Sequence, residues 1–144
     1  MAMPSTLLTP ARRQRLSRPA LVSGLVLAGA VALHVRDPHT SGSWGFCPWR
    51  ELTGSYCPGC GGLRAVNDLT NGHVIAAASS NLLFLALLPV GAYLFAGQLR
   101  AAWTGVPPRR ASPLQRRVAL VALAILTVVF TVLRNTPAGA WLAP

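Results

Sequence analysis

Residues 82–99 read LLFLALLPVGAYLFAGQL and carry no charged side chain. A helix needs about 20 residues to cross the hydrocarbon core of a bilayer, with about 17 as the lower limit. Two further charge-free runs, Pro19–Val35 and Val118–Leu133, lie close to that lower limit. A helix of a soluble bundle would show a polar stripe every three or four residues, and none of the three runs has one. The sequence therefore predicts an all-α membrane protein with three transmembrane helices, at about residues 19–35, 76–99 and 117–134.

Composition agrees with this prediction. Hydrophobic residues make up 52% of the chain and charged residues 11%, about half the charged share of a soluble domain. The net charge of +10 comes from 13 arginines and three acids, with no lysine. A basic chain first suggests nucleic acid, but no recognition-helix or basic-aromatic pattern is present. The arginines instead flank the apolar runs, so we expect the lipid bilayer as the partner and no nucleic acid.

The distribution of arginine predicts the orientation. Positive charge is retained on the cytoplasmic side of a membrane, and arginines concentrate in residues 1–18 and in the linker 100–117. We therefore predict a basic cytoplasmic N-terminal segment, 1–18, followed by a single integral membrane domain, 19–144. Its cysteine loop, 36–73, and its C-terminus would be extracytoplasmic. An alternative is that residues 1–32 form a cleaved secretory signal, which would export the same loop.

Within these segments, three local features can be predicted. Leu63–Leu69 suits a short interfacial helix, on which Arg64 and Asp68 would form an i,i+4 ion pair. Pro89 should kink the second span unless neighbouring groups satisfy the freed carbonyl. Asn81, near the start of that span, could form an interhelical hydrogen bond, but an interfacial polar role is favoured.

All three cysteines lie in one short stretch, at Cys47 and in the sequence CPGCG at 57–61. Pro58 fixes the backbone just after a thiol. Gly61 can adopt the positive φ that a tight turn around a metal requires. Cys47, Cys57 and Cys60 are thus the candidate site residues.

Three interpretations of the cysteines remain open. In the first, Cys47, Cys57 and Cys60 bind a metal. Zinc is the candidate ion, and its structural sites take four ligands. The candidates for a fourth ligand are His39, His73 and Asp68.

In the second interpretation, Cys57 and Cys60 cycle between dithiol and disulfide, with their thiolates favoured by the short helix and by Arg64. A thioredoxin-like motif belongs in a βαβ pattern, however, and no strand alternation is visible. In the third, two cysteines form a structural disulfide that closes the loop in an oxidising compartment.

The sequences CPWRELTG (47–54) and CPGCGGLRA (57–65), followed by Asn71-Gly72 and Asn81, resemble a family of small bacterial membrane proteins, domain of unknown function 2752. The resemblance covers about residues 44–95. Many members have Thr where this chain has Leu63, and Asn-Pro where it has Asn81-Leu82. The resemblance implies a multi-pass protein of the bacterial cell membrane and supports the location of the site. It brings no established activity.

Little material for hydrolysis or group transfer is present. The acids are Asp37, Glu51 and Asp68, which offer no paired carboxylates for acid–base catalysis. We therefore favour an interaction or assembly module whose outer loop is organised by the cysteines and which binds another membrane protein. The alternative is a membrane thiol-disulfide oxidoreductase that uses Cys57 and Cys60.

Overall fold

The structure is a computed structural model that describes residues 10–40, 42–108 and 110–144. Of the predicted N-terminal segment 1–18, residues 1–9 lie outside this range. The described residues form helices and no strand. The helices are α1 (Pro10–Val35), α2 (Pro48–Thr53), α3 (Gly62–Thr70), α4 (Val74–Thr104), α5 (Pro113–Arg134) and a 3₁₀ helix, η1 (Pro137–Leu142).

Three of these helices are long and apolar enough to cross a membrane: Arg12–Val35, Val74–Thr104 and Pro113–Arg134. The shortest has 22 residues, or about 33 Å at 1.5 Å per residue, against a hydrocarbon core of about 30 Å. Large apolar side chains on them face outward, as at Leu25 (66% exposed) and Leu120 (64% exposed). Lipid would cover such surfaces, so the prediction of an all-α membrane protein is confirmed.

The first helix begins earlier than the apolar pattern indicates. α1 starts at Pro10 rather than near residue 19, and Pro19 lies inside it. Arginine is a good helix former, so the basic segment extends the helix instead of ending it. The last span starts at a capping box, in which the Ser112 hydroxyl and the Gln115 side chain each accept a hydrogen bond from the other residue's backbone N–H.

The helices pack at two places that matter for the site. α1, α3 and α4 contact one another, while η1 contacts both α4 and α5. A small core of Leu83, Phe130 and Leu142 joins α4, α5 and η1. At the other end of the molecule the Arg12 guanidinium lies 3.7 Å from the Trp103 ring centre, so α1 and α4 are antiparallel. The C-terminal end of α1 and the N-terminal end of α4 therefore lie on the same side of the molecule. The C-terminal end of α5 lies there too, because Phe130 packs against Leu83.

The break in α4 lies at Asn81, whereas the sequence predicts a kink at Pro89. Asn81 has φ −161° and ψ 91°, while Pro89 keeps helical angles. The Asn81 carboxamide oxygen accepts the Phe84 N–H at 2.9 Å, as an N-cap does, and so restarts the helix after the break. Asn81 is also only 2% exposed, so its side chain makes its contacts inside the protein.

Candidate functional site

The three cysteines are presented by two adjoining helix starts. Cys47 directly precedes α2, which begins at Pro48. Proline suits the first position of a helix because the N–H that it lacks would have no partner within the helix there. α2 ends at Thr53 and is capped by Gly54, which has φ 70°. Cys57 and Cys60 form a tight turn, closed by the Cys60 N–H bonding to the Cys57 carbonyl at 3.1 Å. This turn leads directly into α3.

Gly61, the residue between the turn and α3, has φ 79°, as predicted. A Cβ at this position would collide with the backbone carbonyl oxygen of Ser80 in α4 and with the Pro144 ring. Both the backbone angle and the close approach of α4 therefore require glycine here.

The three sulfur atoms form a compact triangle. The Cys57 and Cys60 Sγ atoms are 2.8 Å apart, and Cys47 Sγ lies 3.5 Å from Cys60 and 3.6 Å from Cys57. A disulfide has an S–S length of about 2.0 Å, so all three are free thiols. One ligand atom from each could hold the same metal ion.

The thiols differ in their electrostatic surroundings. The Arg50 backbone N–H, aimed at Cys47 from the first turn of α2, lowers the pKa of that thiol, and hydrogen bonding from Cys60 adds to the effect. Burial is the main cause that raises the pKa of Cys60 to about 12, and hydrogen bonds with Cys57 and Cys47 raise it further. Cys47 therefore forms the thiolate more readily than Cys60, which resists ionisation.

Arg134, the last residue of α5, binds the backbone of the cysteine turn. Its guanidinium donates to the carbonyls of Cys57 (2.9 Å) and Cys60 (3.1 Å), and to that of Leu142 in η1 (3.0 Å). The side chain is 1% exposed, and its ring neighbours are Phe130 and Tyr56, at 4.8 and 5.6 Å. Within the described residues no acidic side chain forms an ion pair with it. A buried cation is costly without a compensating charge. The burial of Arg134 without an acidic partner among the described residues is therefore the unusual feature of this site.

Two asparagines also form hydrogen bonds with the backbone of the turn. Asn81 donates to the carbonyls of Pro58 (2.9 Å) and Cys60 (3.1 Å). Asn135 accepts the Tyr56 N–H at 2.8 Å and donates to the Tyr56 carbonyl at 2.9 Å. Together with Arg134, these side chains from α4 and the end of α5 bind most of the carbonyls between residues 56 and 60.

None of the proposed fourth ligands joins the sulfur triangle. His39 lies 2.8 Å from Asp37 through Nδ1 and 3.4 Å from Asp68 through Nε2. Asp68 also accepts a hydrogen bond from the Ser80 hydroxyl at 2.8 Å. His73 is exposed at the start of α4. His39 connects the loop after α1 to Asp68 of α3, and Asp68 connects α3 to Ser80 of α4. The hydrogen bond from the His39 backbone N–H lowers the pKa of the Asp37 carboxyl.

Arg64 and Asp68, both described by the structure, do not form the predicted ion pair. The Arg64 Nε instead donates to the Pro38 carbonyl at 3.4 Å, because the loop from α1 folds over this face of α3. Arg64 also lines a cavity of about 290 Å³ that borders all three cysteines, together with Arg50 and the rings of Trp44 and Phe46.

Sequence reasoning misses the residues that position the site. It places Arg134 at the end of the third span, favours an interfacial role for Asn81 and assigns no role to Asn135. One signal is present: Arg134 and Asn135 directly follow an apolar run and precede Thr136-Pro137, where a helix must end and restart. Their contact with a loop far earlier in the chain has no local signature.

A family model described as "Protein of unknown function (DUF2752)" matches residues 47–95, which confirms the resemblance over about a third of the chain. The match begins at Cys47 and includes all three cysteines, Gly61, Arg64 and Asn81. Arg134 lies outside it. No curated protein and no solved structure matches the chain.

Proposed function

We propose that Cys47, Cys57 and Cys60 bind one metal ion, with zinc as the first candidate, and that the ion organises the outer loop of a membrane-embedded assembly module. The observation that carries the proposal is the triangle of sulfur atoms, 2.8–3.6 Å on a side. Thiolates are the ligands that zinc and other soft ions prefer. Zinc–sulfur bonds of about 2.3 Å in a tetrahedron place sulfurs about 3.8 Å apart. Two sides of the triangle are already close to this, and the Cys57–Cys60 side would open by about 1 Å.

The buried guanidinium supports the same proposal. A zinc ion with three thiolates carries a net charge of −1, because a coordinating thiol loses its proton. Arg134 bonds to the carbonyls of two of the three ligands and carries +1. The metal-bound site would therefore supply the countercharge that no acidic side chain in the described part of the chain provides. Binding would also stabilise the thiolate of Cys60, which burial otherwise disfavours.

The setting supports a role in assembly at a bacterial cell membrane. The arginine-rich ends of α1, α4 and α5 would face the cytoplasm, and the cysteine loop would face outward. The loop and its short helices leave little chain outside lipid, so a neighbouring membrane protein is the expected partner. Exposed aromatic rings beside the site, Phe46 (76%) and Trp49 (54%), offer it a contact surface.

The metal content of the purified protein tests this proposal. The protein is purified in detergent without chelator, and zinc is measured with the number of free thiols before and after reduction. We expect one zinc per chain, lost in Cys57→Ser and retained in the nearby control Ser55→Ala. Wild-type protein that holds no metal, even after zinc is added to its reduced form, would contradict the proposal.

The second candidate is a membrane thiol-disulfide oxidoreductase, which the short Cys57–Cys60 distance favours. In that reaction the dithiol would lose two electrons and two protons and form the disulfide, while a partner's disulfide is reduced to two thiols. It predicts no bound metal and a Cys57–Cys60 bond with a reduction potential above about −300 mV, the level below which structural disulfides typically lie. The same preparation measures both properties.

A further inference from the structure

We infer that the metal proposed at the cysteines has one open coordination position, and that it takes a small thiol ligand bearing a negative charge. This inference rests on the proposed metal site. It concerns what the site binds beyond the ion.

The described residues supply three ligands for the ion and no fourth. In residues 10–40, 42–108 and 110–144, only Cys47, Cys57 and Cys60 come together as a group of metal ligands. His39 and Asp68 contact each other instead. Zinc bound by three protein groups keeps its fourth position for water or an exogenous ligand.

The open position has space beside it. The cavity of about 290 Å³ borders all three cysteines and the glycines of the turn. Pockets for drug-sized ligands run from about 300 to 1,000 Å³. The ligand is therefore small, of a few non-hydrogen atoms.

The wall of this cavity is positively charged. The cavity wall includes Arg50 and Arg64, and its described lining has no Asp or Glu. Arg50 lies 4.2 Å from the Tyr56 ring centre, and Arg64 bonds to the Pro38 carbonyl, so other contacts hold both side chains at the wall. With Arg134 offsetting the metal–thiolate charge, these two guanidinium groups favour an anion.

The three thiolates also determine which donor atom suits the open position. An ion held by three thiolates is best completed by another soft donor, and sulfur meets this requirement. A thiol that also carries a carboxylate would place its sulfur on the metal, releasing its proton to solvent, and its carboxylate toward the arginines.

Cobalt(II) provides the test, because ligand exchange on cobalt changes its visible absorption. The full-length protein is loaded with cobalt in detergent and titrated with three thiols of similar size: mercaptoacetate, 2-mercaptoethanol and cysteamine. We expect mercaptoacetate to bind about tenfold more tightly than the neutral thiol, and cysteamine to bind most weakly. Arg50→Gln and Arg64→Gln should each remove most of this preference and leave 2-mercaptoethanol binding unchanged. Arg116→Gln, at the other end of α5, is the matched control.

The cobalt spectrum before any thiol is added separates the two proposals. Sulfur-to-cobalt charge-transfer bands that persist in the Arg50 and Arg64 variants show that the site is intact. No such bands in the wild-type protein would overturn the metal site itself, and this inference with it. Normal bands with equal affinity for the three thiols, or with cobalt removed by them, would overturn this inference alone.

Discussion

Replacing Arg134 with Gln is expected to weaken zinc binding about 30- to 150-fold. Two of its three hydrogen bonds go to the carbonyls of Cys57 and Cys60 and fix the turn that presents their sulfurs. Each such bond contributes about 1–1.5 kcal/mol net, and the two together about 2–3 kcal/mol, with tenfold in affinity for each 1.4 kcal/mol. The third bond, to Leu142, stabilises η1 and affects folding more than the metal.

The assay is competition for zinc against a chelator of known affinity, in detergent. Arg134→Lys should show an intermediate loss, because it keeps the charge but cannot bridge two carbonyls as a guanidinium does. Arg116→Gln removes an exposed arginine from the same helix and should leave the affinity unchanged. Thermal unfolding of each variant shows whether the fold is retained. If Arg134→Gln is folded and binds zinc within about twofold of the wild type, the positioning role assigned to Arg134 is refuted. Loss of a residue that orients metal ligands typically weakens metal binding at least about tenfold.

Three further outcomes are expected. Asn81→Ala should lower the free energy of unfolding in detergent by about 2–3 kcal/mol, because the Pro58 carbonyl and the Phe84 N–H lose their partner and the Cys60 carbonyl keeps only its bond from Arg134; Gln98→Ala, at an exposed position of the same helix, should change it little. In the reduced, metal-free protein, Cys47 should be alkylated faster than Cys60 at every pH from about 6 to 9, because the lowered pKa of Cys47 keeps its thiolate at lower pH while Cys60, with a pKa of about 12, stays protonated. Mass spectrometry of pulse-labelled peptides measures both rates, and equal rates would contradict this assignment. In intact cells, after reduction and chelation, an impermeant thiol reagent should label the loop cysteines; labelling only after lysis would mean that the loop faces the cytoplasm.

The three spans can be predicted from sequence because each is a property of consecutive residues. Charge-free runs of about 17 residues or more have few alternatives to a membrane helix, and the helix predicted at Leu63–Leu69 nearly coincides with α3 (Gly62–Thr70). The bounds are harder to predict: α1 extends back to Pro10 because arginine does not end a helix. The short helix α2 also has local signals, Pro48 at its start and Gly54 at its end, although the apolar pattern does not reveal it.

In the candidate site, too, features set by neighbouring residues can be predicted, and contacts between distant segments cannot. The cysteines lie close together in sequence, so their clustering can be expected, and the positive φ of Gly61 follows from its place in the turn. The contacts of Arg134, Asn135 and Asn81 depend on how α4 and α5 meet the loop, which no local pattern encodes. The expected Arg64–Asp68 pair illustrates the reverse case: the helical spacing permits it, but the loop after α1 offers Arg64 a carbonyl instead.

The buried arginine also bears on the choice between metal binding and redox cycling. A guanidinium stays protonated in proteins, so Arg134 brings a constant charge of +1 to a site where it is 1% exposed. The zinc–trithiolate unit itself carries −1 whether or not a further ligand fills the open position, and this charge matches that of Arg134. In a redox cycle the oxidised site, with a Cys57–Cys60 disulfide, keeps at most the thiolate of Cys47, and the reduced site is neutral while its thiols are protonated. A partner of fixed charge is better matched by a centre of fixed charge, and this favours the metal.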